Sequence, residues 1–166
     1  MNIVLIGYRG TGKSTVGRQL AARLGRALVS TDAEIVKRAQ RTIPEIVGQE
    51  GWEYFRDLES EICSEIASRD QLVVDTGGGA ILRAQNVEAL KANGTVFWLT
   101  ASVETIAQRI GSGNQRPSLT GTKSFVDEIQ DVLRERTPNY QAAADHIIVT
   151  DGRSPHQLLE TVLALV

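Results

Sequence analysis

The sequence predicts an α/β fold, a parallel sheet with helices on both faces. Three observations lead there. Short apolar runs alternate with longer stretches of helical spacing, the runs are continuous rather than alternating, and the first is followed at once by a glycine-rich loop and a helical pattern. The runs are Ile3 to Ile6, Ala27 to Val29, Leu72 to Val74, Thr95 to Leu99 and His146 to Val149. Continuous apolar runs of this length read as strands buried on both faces. Helical stripes lie between them. Val16, Leu20 and Leu24 form the first, and Phe55, Leu58, Ile62 and Ile66 the second. Ile129, Val132 and Leu133 belong to a third, and Leu158, Leu159, Val162 and Leu163 close the chain. Sheets of this kind bind ligands beyond the carboxyl ends of their strands, so the residues just after each run are the candidate site.

A chain of 166 residues suits one domain. With 42% apolar and 23% charged residues it can bury a core without disulfides or metals. The one cysteine, Cys63, sits among Leu58, Ile62 and Ile66 and reads as a buried structural thiol, which suits a reducing compartment. Net charge is −2 with no run of Lys or Arg, which argues against a duplex nucleic acid partner. No charged leader precedes the first strand pattern, and no apolar run approaches the length of a bilayer span. The cytoplasm is the expected location. His146 and His156 lack metal-ligand spacing and read as structural, and Trp52 and Trp98 read as packing residues.

One stretch breaks the rhythm. Residues 111–123, from Gly111 to Lys123, are rich in Gly, Ser, Thr and Asn and read as a mobile loop. Loops of this length within a compact domain are often functional, and a lid over the substrate is expected here.

Gly7-Tyr8-Arg9-Gly10-Thr11-Gly12-Lys13-Ser14 satisfies G-x-x-x-x-G-K-[ST], between a strand and a helical pattern. In such a P-loop the backbone N–H groups turn inward onto phosphate oxygens, and the helix N-terminus adds its positive end. Nucleotide binding is expected from Gly10, Thr11, Gly12, Lys13, Ser14 and Thr15. Lys13 would reach the β- and γ-phosphates and the Ser14 hydroxyl would bind Mg²⁺.

The chain resembles the shikimate kinases from end to end. The matching segments are Gly7 to Ser14, Ser30-Thr31-Asp32, Glu50 to Arg56, Thr76-Gly77-Gly78-Gly79, Arg116-Pro117 and Arg136-Thr137-Pro138-Asn139-Tyr140. The resemblance implies one P-loop kinase domain over residues 1–166, with a five-stranded parallel sheet of order 2-3-1-4-5 and an acceptor-binding segment near residues 32–61. It implies transfer of the ATP γ-phosphate to the 3-hydroxyl of shikimate, on the route to chorismate and the aromatic amino acids, by a monomer. By the same resemblance Arg56 and Arg136 bind the shikimate carboxylate, a task suited to the guanidinium fork. Asp32 binds the ring hydroxyls and orients, or takes a proton from, the attacking oxygen. Gly77, Gly78 and Gly79 line the acceptor, Arg116 closes over the phosphates, and Arg109 and Arg153 flank the adenine. Lys13, Asp32 and Arg116 are the candidate catalytic residues.

Taken singly, these residues have plainer uses. Arg56 would pair with Glu53 or Glu59 on one helix face, Arg136 would be a solvated helix residue, Asp32 would cap a helix beginning near Ala33, and the glycines would form a turn. The alternatives to a shikimate kinase are a kinase of the same fold acting on a sugar acid or nucleoside phosphate, and a non-catalytic nucleotide-binding module.

The chain departs from the pattern it resembles at one point. The family usually carries Asp-x-Asp after the second strand, with the first Asp in the Mg²⁺ shell. Here Ser30 stands in that place, while the third run ends on Asp75, where a small residue is more usual. An acid at the end of an apolar strand beside a P-loop suits Mg²⁺, so Asp75 joins Ser14 as a candidate metal residue, acting through water. Its plainer use is to bond the backbone of the glycine turn.

Overall fold

The computed structural model describes residues 1–111 and 124–166. The five strands are β1 (Asn2–Ile6), β2 (Ala27–Ser30), β3 (Leu72–Asp75), β4 (Gly94–Thr100) and β5 (His146–Val149). All pair in parallel, in the order β2-β3-β1-β4-β5. The helices are α1 (Lys13–Leu24), α2 (Thr31–Ala39), α3 (Ile43–Glu50), α4 (Trp52–Ala67), α5 (Ala84–Ala92), α6 (Val103–Ile110), α7 (Phe125–Ala143) and α8 (Pro155–Leu163).

Alternate residues of each strand divide between two cores, as the two-residue period of a strand requires. Ile3, Leu5, Val73, Phe97, Leu99 and Ile148 pack under α1 and α8 against Val16, Leu20, Leu158 and Val162. Val4, Ile6, Val29, Val74, Val96 and Trp98 face the opposite way, toward Ile35, Phe55, Ile62 and Tyr140 of α2, α4 and α7. A smaller cluster joins Tyr8 of the P-loop to Ile106 of α6 and to Ile129 and Val132 of α7.

Two sequence expectations change. β1, β3 and β4 are covered on both faces, but the edge strands are not: Leu28 on β2 and Ile147 and Val149 on β5 stand exposed. An apolar run carries no record of whether its strand lies inside the sheet or at its edge. The α2 helix begins at Thr31 rather than near Ala33. Its N-cap is Ser30, whose Oγ accepts a hydrogen bond from the Ala33 N–H at 3.2 Å. β2 runs into α2 with no intervening loop, so the last strand residue also serves as the cap. Cys63 and Trp98 are buried as expected, His146 stacks on Phe97, and Trp52 packs edge-on against Phe55. Among the described residues no helix is long and apolar enough to cross a membrane.

Candidate active site

The carboxyl ends of β1, β2 and β3 open onto a cleft of about 810 Å³. Gly10, Gly12, Lys13, Ser14 and Thr15 of the P-loop line one side, with Asp32, Asp75, Gly77 and Gly78 opposite and Arg109 at the margin. Lys13 is buried, and its Nζ donates to the carbonyls of Gly7 (2.7 Å) and Tyr8 (3.0 Å). Thr11 Oγ1 donates to the same Tyr8 carbonyl at 2.8 Å. The loop is thus closed on itself, with the amine held over its own backbone. The N-cap of α1 is Gly12, which offers no capping side chain, and the first turn carries no acid. The N-terminal N–H groups and the positive helix end therefore face the cleft, an arrangement that attracts phosphate.

The turn after β3 organises the other side. Thr76 is fixed by two bonds to the Leu5 carbonyl, from its N–H (3.2 Å) and its Oγ1 (2.8 Å). The Gly77 N–H donates to Thr31 Oγ1 at 2.8 Å. Each of the next three residues then lies against one of the predicted acceptor-binding side chains. A Cβ on Gly77 would stand 2.5 Å from Asp32 Oδ1, one on Gly78 3.4 Å from Arg136 Nη1, and one on Gly79 2.4 Å from both Arg56 terminal nitrogens. Three helices, α2, α7 and α4, deliver these side chains, and the missing Cβ atoms at Gly77 and Gly79 let Asp32 and Arg56 close on the turn, while Arg136 lies at ordinary contact distance from position 78.

The arginines are deep. Arg136 is buried and Arg56 nearly so, and both line a second cavity of about 410 Å³ with Trp52, Leu82, Val132 and the acids Asp131 and Glu135. Arg56 Nη1 donates to Glu59 Oε1 at 2.9 Å, and Glu59 is wholly buried. Its guanidinium also lies over the rings of Phe55 (5.2 Å) and Trp52 (5.4 Å). Burial lowers the Arg136 pKa, and the Arg56 charge acts in the same sense against the pull of Tyr140. An arginine stays protonated even so. Asp131 and Glu135 line the same cavity, so what suits an anionic group on the acceptor is the pair of buried guanidinium donors rather than a net positive charge. Tyr140 is also fully buried. It stacks on Trp98 and donates its hydroxyl to the Gly78 carbonyl at 2.5 Å, fastening α7 to the glycine turn.

Asp75 ends β3 half-buried, and Ser14 Oγ donates to its Oδ2 at 2.7 Å. Burial pushes the Asp75 carboxyl above the ordinary aspartate range, while Lys13 and the Ser14 hydrogen bond pull it down. A hydroxyl and a carboxylate oxygen at one point are hard donors that fit Mg²⁺. Among the described residues no cluster of three or more His, Cys, Asp or Glu could hold a metal by itself. Mg²⁺ bound through one or two protein groups and substrate phosphates matches that composition.

Arg109 reaches from α6 to Thr150, donating to Oγ1 at 2.9 Å and to the carbonyl at 3.1 Å, and it also touches the Gly10 carbonyl. It therefore ties the P-loop to the end of β5. The Arg153 guanidinium donates to the Val149 carbonyl and to Thr161 Oγ1 of α8. Arg116 and residues 112–123 around it lie outside the described residues. The sequence did not single out Thr31 or Tyr140 for a role in the site. Glu59 entered only as a rival partner for Arg56, and the three-residue spacing on α4 was its one signal.

A family model described as shikimate kinase matches residues 9–166. The chain belongs to the shikimate kinase family. With that family it is an ATP-dependent phosphotransferase acting on an alcohol group. The shikimate kinase of Nitratidesulfovibrio vulgaris is 47% identical over 90% of this chain and 87% of its own length. That of Syntrophus aciditrophicus is 42% identical over 98% and 89%. The shikimate kinase from Acinetobacter baumannii, solved in complex with shikimate, superposes with a TM-score of 0.93 at 40% identity, over 99% of this chain and 91% of that one. Similarity to the YorR protein of Bacillus subtilis, at 18% identity and a TM-score of 0.66, extends to the fold alone.

Proposed function

We propose that the chain, acting as one kinase domain over residues 1–166, transfers the γ-phosphoryl group of ATP to the 3-hydroxyl of shikimate through the residues gathered around the glycine turn. The observation that carries this is the convergence of Asp32, Arg136 and Arg56 on Gly77, Gly78 and Gly79: Asp32, Gly77 and Gly78 share the cleft with Lys13, while the two arginines reach the same turn and line the second cavity. Shikimate has one carboxylate and three ring hydroxyls. Arg56, held by Glu59, and Arg136 take the carboxylate in a charge-assisted fork. Asp32 then faces the ring hydroxyls and orients the attacking oxygen, taking its proton as the new bond forms.

On the nucleotide side, Lys13 turns from the Gly7 and Tyr8 carbonyls to the β- and γ-phosphates. The N–H groups of Gly10 to Thr15 bind the remaining phosphate oxygens. Mg²⁺, held at the Ser14 hydroxyl, supplies charge neutralisation on the phosphates. Arg109, which lines the cleft, and Arg153, whose guanidinium is engaged with Val149 and Thr161, are assigned to the adenine on the resemblance. Arg116, outside the described residues, is assigned to the transferring phosphoryl group on the resemblance alone. Because phosphoryl transfer has a loose transition state, positioning of donor and acceptor outweighs proton removal. All the named side chains come from one chain, so a monomer suffices, and the expected location is the cytoplasm.

The test is ADP release from ATP and Mg²⁺ with a panel of acceptors. Release should depend on shikimate. Release that ignores shikimate and follows gluconate or a nucleoside monophosphate would overturn the assignment, as would binding of ATP without turnover on any acceptor.

A further inference from the structure

Two carboxylates line the cleft, Asp32 and Asp75, and their surroundings differ. Asp32 stands against Gly77, on the acceptor side. Asp75 ends a strand flanked on both sides, in register with Leu5 of β1 and Ser30 of β2. Its Oδ2 accepts a hydrogen bond from Ser14 Oγ at 2.7 Å. A hydroxyl whose proton is held from behind presents its lone pairs elsewhere. Ser14 stands at the mouth of the P-loop, where phosphate oxygens and their cation arrive.

Ser30 lies directly across the β2–β3 register from Asp75, so the two residues reach the same level of the sheet edge. Its side chain is already used, since Oγ accepts the Ala33 N–H as the cap of α2. The sheet edge beside Ser14 therefore carries one carboxylate and one committed hydroxyl.

We propose that Asp75 is the carboxylate of the Mg²⁺ shell, orienting Ser14 and supplying the negative charge, that Ser30 contributes only the helix cap, and that Asp32 is thereby left to the acceptor. This rests on the kinase reading above. It has a consequence that a packing role for Asp75 lacks. With a divalent cation present, the Asp75 charge strengthens binding of the metal–nucleotide pair. With the cation removed, the same charge faces bare phosphate and opposes it. Neutralising Asp75 therefore acts in opposite directions in the two media.

The experiment is calorimetric titration of ATP into the full chain, once in excess Mg²⁺ and once in EDTA. In Asp75→Asn, the Mg²⁺-dependent gain in ATP affinity should shrink by about 10–100-fold, the usual cost of losing an outer-shell metal partner. Affinity in EDTA should hold or rise. Ser30→Ala should keep the wild-type gain within about twofold while lowering the thermal midpoint through loss of its cap. Ser30→Asp combined with Asp75→Asn should recover part of the gain, because Asp also caps a helix and stands across the register. Asp75→Ser is the second neutral variant should Asn impair folding. An unchanged gain in Asp75→Asn, or equal loss in both media, overturns this inference alone. Failure of the wild-type chain to bind ATP in either medium overturns the kinase reading and the inference with it.

Discussion

Adding a single methyl group at position 79 should damage shikimate binding and spare ATP. Gly79 has φ −101° and ψ 9°, a conformation alanine adopts without strain. The new Cβ would meet the Arg56 guanidinium at 2.4 Å from each terminal nitrogen and 2.5 Å from Cζ. Ordinary contact lies near 3.5 Å, so the guanidinium must retreat by roughly 1 Å. Arg56 is the flexible end of a long side chain, and the fold can absorb that shift. The carboxylate fork cannot, because the same nitrogen is fixed on Glu59 at 2.9 Å. Removing one partner of a buried charged pair costs about 2–5 kcal/mol. Displacement short of removal belongs at the low end, about 2 kcal/mol, or roughly a 30-fold rise in KM for shikimate. KM for ATP should stay within about twofold, and the thermal midpoint within a few degrees. Steady-state ADP release, varying each substrate at saturation of the other, measures both. A shikimate KM within about threefold of wild type, or a matching rise for ATP, would refute the placement of Arg56 on the carboxylate.

Three further outcomes follow from the same geometry. Arg136→Ala should weaken shikimate binding by about 2–5 kcal/mol and leave ATP binding intact, whereas equal loss of both ligands would point to a folding role. Burial, with Glu59 adding to it, pushes the Cys63 thiol up to about 12, so a thiol reagent at about pH 8 should label the chain only after unfolding. Labelling of the native chain at the rate of a free thiol would contradict this. Hydrogen bonds from Thr105 and Ser102 hold the Asp151 carboxyl down to about 2 from an ordinary 3.8. A depressed carboxyl stabilises the fold above its unfolded pKa and loses that effect as pH falls through the folded one. The drop in thermal midpoint caused by Asp151→Asn should therefore narrow below about pH 4, and an equal drop at neutral and acid pH would refute it.

The five strands fall within a residue or two of their apolar runs, because central strands need uninterrupted apolar sequence and helices need their stripes. What each run borders was not legible. Leu28, Ile147 and Val149 look like core residues in sequence, yet they face outward on the two edge strands. Leu24 completes its stripe and is still partly exposed at the end of α1. The P-loop was plain because its geometry is local, with eight consecutive residues making one turn. The proposed acceptor site is not local. Asp32, Arg56 and Arg136 lie on three helices far apart in sequence, and no spacing rule connects them. Their order matched a known family, and that match brought them together. Glu59 shows the limit of pattern. A glutamate on a helix rich in acids reads as solvated, and its complete burial arises only when the turn after β3 folds over α4. Ser30 shows another. Asp32, taken singly, reads as the cap of a helix beginning near Ala33, but the abrupt passage from β2 to α2 makes Ser30 the cap.

The packing of Asp32, Arg136 and Arg56 against three consecutive glycines also limits how such a site can change over evolutionary time. Space that would ordinarily belong to the side chains of residues 77 and 79 is occupied by charged groups delivered from elsewhere in the chain. A larger residue at position 79 becomes acceptable only once position 56 has been shortened, and one at 77 only once position 32 has changed. Substitutions that would redirect the enzyme to a different acceptor are thus linked in pairs, and the order in which they occur matters. On the acceptor roles proposed for Arg56 and Asp32, the first step of each pair would remove the old specificity before the second could create a new one, and a lineage leaving shikimate would pass through an intermediate that binds neither acceptor well.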